Sequence, residues 1–165
     1  MSAIEYGDGR DVTPQELAEF YTRVQHGIAA PAEQIRRMMA NSAVFVTARA
    51  GGRLIGIARG VSDGLRGYLT ECKLDADYQG PAAVTRKDGR IEHDSSGIAA
   101  EMARRVMAGL QAEGARRIDV VAWNTEVDFL EELGFKRQGG LVGMTMTTLP
   151  ARQAGTASSV AAGAV

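Results

Sequence analysis

The segment AVFVTARAGGRLIGIARGV, residues 43–61, limits the fold more than any other stretch of this chain. It consists of two β-rich runs joined at Gly51-Gly52, and adjacent glycines between apolar runs are a hairpin signal. A second turn at Ser62-Asp63-Gly64 leads into a third run, Tyr68 to Leu74. Three consecutive strands with short connections make an antiparallel meander, and its apolar faces need helices to cover them.

The flanking segments supply those helices. Thr13-Pro14-Gln15-Glu16 reads as a helix start, with Thr13 as cap, Pro14 in the first turn and Glu16 completing a capping box. Leu17, Phe20, Tyr21 and Val24 follow at helical spacing, and Pro31 opens a second helix that buries Ile35, Met38 and Met39. After Gly97, Ile98, Met102, Val106 and Leu110 recur every four residues, and Gly114 ends that helix. Ile118 to Ala122 reads as a short buried strand. Asn124 or Thr125 caps a brief helix with Val127, Leu130 and Leu133 inward, and Leu141 to Thr148 reads as a last strand. With Ile4 to Tyr6 as a first short strand, the expected class is α/β (α+β mixed): a central mixed, mostly antiparallel sheet flanked by helices on both faces. Residues 1–149 are expected to form one domain. Residues 150–165, small and rich in Ala, Gly and Ser, cannot bury enough apolar area to offset ordering and are expected to be a disordered tail.

Composition narrows the class of function. Lys+Arg 19 against Asp+Glu 20 gives no electrostatic reason to expect nucleic-acid or membrane-surface binding. One cysteine, Cys72, and two separated histidines, His26 and His93, are too few for a Cys/His zinc site, so no metal is expected. No stretch approaches the about 18 apolar residues of a membrane span, and Met1 to Arg10 has no apolar core of a secretory signal. A cytoplasmic location fits this pattern.

The junction between meander and long helix is divided. Tyr78-Gln79-Gly80 and Ser96-Gly97-Ile98-Ala99 each look like half of one short loop, with the charged residues 81–95 between them. Within this insert Asp88-Gly89 is a type I′ hairpin signature, with Arg86, Lys87 and Arg90 near the tip.

Three segments resemble the GNAT superfamily of acyl-CoA-dependent N-acyltransferases. YLTECKLDADYQG, residues 68–80, is similar to the family's fourth strand and the start of its cofactor loop. SGIAAEMARRVM, residues 96–107, is similar to the loop's end and the helix that follows. WNTEVDFLEELGFKR, residues 123–137, looks like the family's Asn-x-x-Ala-x-x-Phe-Tyr-x-x-x-Gly-Phe segment. The resemblance implies that acetyl-CoA serves as acyl donor. Its pyrophosphate would lie on the loop and first-turn amides of Gln79, Gly80, Ser96, Gly97, Ile98, Ala99 and Ala100, where helix N–H groups have no internal partner. The pantetheine arm would run along Cys72, Lys73 and Leu74, with Asn124 and Phe129 beside it. The Leu74 amide would polarise the thioester carbonyl.

Glu71 matches the strand carboxylate that accepts the amine proton in many members, directly or through a water. Two departures stand out. Asp94 lies three residues before Gly97, where the family has Gln or Arg, and a carboxylate there must turn away or cap the helix. Leu130 stands where the family often has a tyrosine that protonates the departing thiolate, and Tyr78 is the nearest substitute. Cys72 has no histidine near it in sequence and reads as a small buried apolar residue.

The implied activity is acetyl transfer to an amine on a small molecule, protein or peptide by direct attack. The competing reading is a non-catalytic protein of the same fold that binds coenzyme A or another small ligand as a sensor or interaction module. Pairing of the final strand with the meander edge of a second copy would make a homodimer.

Overall fold

The computed structural model describes residues 3–25, 30–80 and 89–146. His26, the insert tip with Arg86, Lys87 and Asp88, and the tail 150–165 lie outside the described residues. Among the described residues nine regular elements follow one another: β1 (Ile4–Gly7), α1 (Pro14–Arg23), α2 (Ala32–Ala40), β2 (Val44–Ala50), β3 (Arg53–Ser62), β4 (Arg66–Leu74), α3 (Ile98–Ala112), β5 (Arg117–Val120) and α4 (Val127–Glu132). Single 3₁₀ turns at Ala76–Tyr78 and Asn124–Glu126 precede the segments carrying α3 and α4. The five strands form one sheet in the order β1-β2-β3-β4-β5, antiparallel except between β4 and β5. This is the mixed, mostly antiparallel sheet expected from the meander.

Each face of the sheet has its own cover. Leu17, Phe20 and Ile35 of α1 and α2 pack with Phe45, Leu54 and Ile57 on one face. On the other, the fourfold row Ile98, Met102, Val106 and Leu110 of α3 packs with Val46, Ile55, Ala58 and Leu69, joined by Phe129 and Leu130 of α4. The approach of α3 is close. A Cβ at Gly60 would lie 2.8 Å from Leu110 Cδ1 and 3.0 Å from the Tyr68 carbonyl oxygen. At the start of α1, Thr13 Oγ1 accepts from the Glu16 amide at 3.1 Å. The Glu16 carboxylate reaches across to Arg49 of β2 at 2.6 and 2.8 Å, tying the helix to the sheet. That guanidinium holds Glu16 below the usual carboxylate range.

The far edge differs from the sequence reading. Residues 141–146 form no strand, and Leu141, Val142, Met144 and Met146 are exposed. Residues 147 and 148 lie outside the described residues. Gly139, Gly140 and Gly143 interrupt the apolar alternation and leave little to pack on a neighbouring strand. Because no described strand pairs with its outer edge, β5 is half-buried where a buried strand was expected, and Val121 just beyond it is exposed. Among the described residues, no helix is long and apolar enough to cross a membrane and no side-chain cluster could hold a metal ion.

Candidate functional site

β4 and β5 are paired only from Arg66–Arg117 to Leu69–Val120. Beyond that point the strands part, and Glu71 to Leu74 of β4 lose their β5 neighbour while remaining paired with β3. A cavity of about 580 Å³ occupies the gap. Thr70, Glu71, Cys72 and Lys73 line one wall, Val120, Val121, Trp123, Phe129 and Leu130 another, and Ile35 and Met38 of α2 a third. An open strand edge beside an apolar crevice can take an extended ligand through backbone hydrogen bonds.

Glu71 stands at the centre of that wall on the α1 face. Its Oε2 accepts from the Tyr21 hydroxyl and from Arg59 Nε, both at 2.9 Å. Arg59 is its cross-strand partner in β3, so the sheet register itself sets the ion pair. Oε1 is buried and has no hydrogen-bond donor. A buried carboxylate oxygen without a donor is costly unless a ligand or water completes it. Burial, and then the Glu71 charge, push the Tyr21 phenol far above its ordinary range, so it remains a donor at any physiological pH.

At the C-terminal end of β4 the insert turns back onto the strand, with Gly89 beside Lys73 and Val24. The Leu74 amide donates to the Gly89 carbonyl at 2.9 Å, so the amide expected to contact a thioester is engaged within the chain. Gln79 is fully buried and holds the returning segment in place. Its Nε2 donates to the Leu74 and Arg90 carbonyls at 3.0 and 2.8 Å, and its Oε1 accepts from the Glu92 and His93 amides at 3.1 and 3.3 Å. Ile91 is buried in the α3 core, and the Arg90 guanidinium lies 4.0 Å from the centre of the Trp123 ring.

The two halves of the divided loop do meet. The Ser95 amide donates to the Gln79 carbonyl at 3.1 Å, and Ser96 Oγ donates to the Tyr78 carbonyl at 3.0 Å. Gly80 has a φ of +113°, and a Cβ there would lie 2.1 Å from Ser95 Oγ, so only glycine allows this closure. The Asp94 carboxylate caps α3, accepting from the Ala99 and Ala100 amides at 3.2 and 2.8 Å. Capping of α3 is one of the two outcomes expected for Asp94.

The other expected site residues divide by location. Gly97 has a φ of +73° and starts α3, Ser96 is exposed, and Ile98 and Ala99 are buried behind the first turn. Lys73 is buried. Asn124 opens the 3₁₀ turn before α4 and is exposed, outside the cavity lining, whereas Phe129 and Leu130 face the cavity. Cys72 points its sulfur at the Ala99 carbonyl, 3.8 Å away, and burial followed by the Asp94 charge drives its thiol far up. It is not an activated nucleophile. His93 is exposed. Tyr21, Arg59 and Trp123 were not singled out from the sequence. Only the β3–β4 register, which needs the bulge between Arg59 and Gly60, would have brought Arg59 to Glu71.

No protein-family model matches the chain, and no curated protein matches it in sequence. Solved structures do. A GNAT family acetyltransferase from Streptococcus pneumoniae aligns over 90% of this chain and 98% of its own, with TM-score 0.64 and 18% identity. An acetyltransferase from Trypanosoma brucei covers 87% of this chain and 100% of its own, with TM-score 0.63 and 15% identity. Glucosamine-6-phosphate N-acetyltransferase from Arabidopsis thaliana covers 89% of this chain and 98% of its own, with TM-score 0.62 and 8% identity. With these likenesses over nearly the full length, and with β4 and β5 parted around the cavity, the chain is built on the GNAT superfamily fold.

Proposed function

We propose that this chain is an acyl-CoA-dependent N-acetyltransferase that joins an acetyl group to an amine in the cavity between β4 and β5. The observation that carries the reading is Glu71, a carboxylate with one unpartnered buried oxygen, on the strand edge where β4 leaves β5. Acetyl-CoA, as the cosubstrate, supplies an activated thioester. The amine nitrogen bonds to the acetyl carbon, the carbon–sulfur bond breaks, and Glu71 takes the proton that the amine must lose. Tyr21 and Arg59 hold Oε2, which leaves Oε1 directed to that task.

The fit to acetyl-CoA is uneven. Alternation along a strand puts the Cys72 amide on the same edge as that of Leu74, two residues away. With Leu74 bound to Gly89, Cys72 is the amide we assign to the thioester carbonyl. The α3 amides at Ala99 and Ala100 suit a pyrophosphate but carry Asp94, so that carboxylate must turn out when phosphate binds. Leu130 offers no proton to the leaving thiolate, which departs as the anion or takes its proton from water.

The same contacts favour a second reading, a non-catalytic protein of this fold. Gly89 on Leu74 and Asp94 on α3 occupy both places where the donor would be held. Release of free thiol from acetyl-CoA across a panel of amines separates the two. Thiol release that depends on both the amine and Glu71 supports catalysis, and binding without release supports the second reading.

A further inference from the structure

The acceptor wall of the cavity contains an ion pair whose outer atoms are unused. Arg59 Nε and the Tyr21 hydroxyl both bond Glu71 Oε2, and Oε1 is left buried with no donor. The guanidinium of Arg59 lines the cavity and its side chain is 20% exposed. Among the described residues its Nη atoms have no hydrogen-bond partner outside the Tyr21–Glu71 cluster, and neither is a buried unpartnered atom. One acceptor oxygen and one guanidinium edge thus lie side by side, set by the Arg59–Glu71 register. The complement of such a pair is an ammonium and a carboxylate held equally close together.

An ammonium alone would meet Glu71 but leave the outer edge of the Arg59 guanidinium without an anion, whereas an amine that carries its own carboxylate complements both members of the pair. On the α2 side of the same space stand the apolar Ala30, Ile35 and Met38, with Gln34 among them.

We infer that the acceptor is a free α-amino acid with an aliphatic side chain, its ammonium on Glu71 Oε1 and its carboxylate on the Arg59 guanidinium. Arg59 is then a specificity-determining residue, since a planar guanidinium takes a carboxylate through two parallel hydrogen bonds. Peptide and protein amino termini are disfavoured, because their α-carboxylate is tied up as an amide. The inference rests on reading this cavity as the acceptor site, but it makes a binding claim that does not need turnover.

The test is calorimetric titration of the full chain, without acetyl-CoA, with L-leucine, L-leucinamide and 3-methylbutylamine. Leucine is expected to bind at least about tenfold more tightly than either analogue, the loss of one charge-assisted pair. Equal binding of the three, or no leucine binding at millimolar concentration, overturns the inference. Arg59→Met should erase the preference for leucine over its amide, and Arg59→Lys should restore part of it. Circular dichroism of both variants checks folding, and the wild-type panel decides the matter if either variant fails to fold. Leucine binding without acetyl transfer would preserve this subsite and sink the acetyltransferase reading. Efficient transfer to amines with no preference for an α-carboxylate would do the reverse.

Discussion

The two sides of β4 meet opposite fates in this molecule. Toward α1 and α2, Glu71 and Arg59 face a cavity with unused hydrogen-bonding capacity. Toward β5 and α3, the corresponding capacity is already used: Leu74 by Gly89, and the first turn of α3 by Asp94. On the proposed reading the first side would take the acceptor, and the second holds a stretch of the chain's own backbone and a carboxylate where a thioester and a phosphate would lie. On that reading the insert after Gly80 bears on binding of the acyl donor more than on the reaction itself.

Removing the acceptor-side carboxylate should have the largest effect. Glu71→Gln is expected to lower the rate of acetyl transfer by about a hundredfold to ten-thousandfold while leaving acetyl-CoA affinity unchanged. Steady-state kinetics beside a calorimetric titration would check both halves, and an unchanged rate would remove Glu71 from the reaction. Next in size is the anchor of the donor-side segment. Gln79→Leu leaves the Leu74 and Arg90 carbonyls and two amides without partners, and should destabilise the fold by about 2–3 kcal/mol. A urea titration with an unshifted midpoint would mean that the returning segment is not held there.

A milder change addresses the charge on the phosphate side. Asp94→Asn retains a capping oxygen but no negative charge, so acetyl-CoA should bind about three- to tenfold more tightly, the scale of a helix-terminus charge effect. Equal affinities for variant and wild type would show that Asp94 does not compete with the donor. The smallest effect lies away from both sides. Arg49 lowers the folded-state pKa of Glu16, so this pair stabilises the protein above the unfolded carboxylate value near about 4.3. That contribution disappears as pH falls through the folded value. Glu16→Gln should therefore lower the melting temperature at pH 7, and the two curves should converge in acid; a gap that persists below about pH 2 would rule out the pair as its cause.

The meander, the two-sided helical cover and the long helix after Gly97 were legible because their apolar periods are strong and uninterrupted. The last strand was not: Leu141, Val142, Met144 and Met146 alternate well enough, but glycines break the run and a strand also needs a neighbour. Glu71 could be singled out because the family resemblance of residues 68–80 implies a carboxylate at that point of the strand. Arg59 could not, since its nearness to Glu71 depends on a bulge that shifts the β3–β4 register. The closure of Gly80 on Ser95 was anticipated from two half-loops, whereas the Gly89–Leu74 bond comes from a backbone carbonyl that no residue identity reveals.

Calorimetric titration of the wild-type chain with acetyl-CoA tests the central claim most directly. Saturable binding at one site per chain is the predicted result, with the Gly89 and Asp94 contacts giving way to the donor. Absence of any binding at high micromolar concentration, in the wild type and in Asp94→Asn alike, would contradict the account.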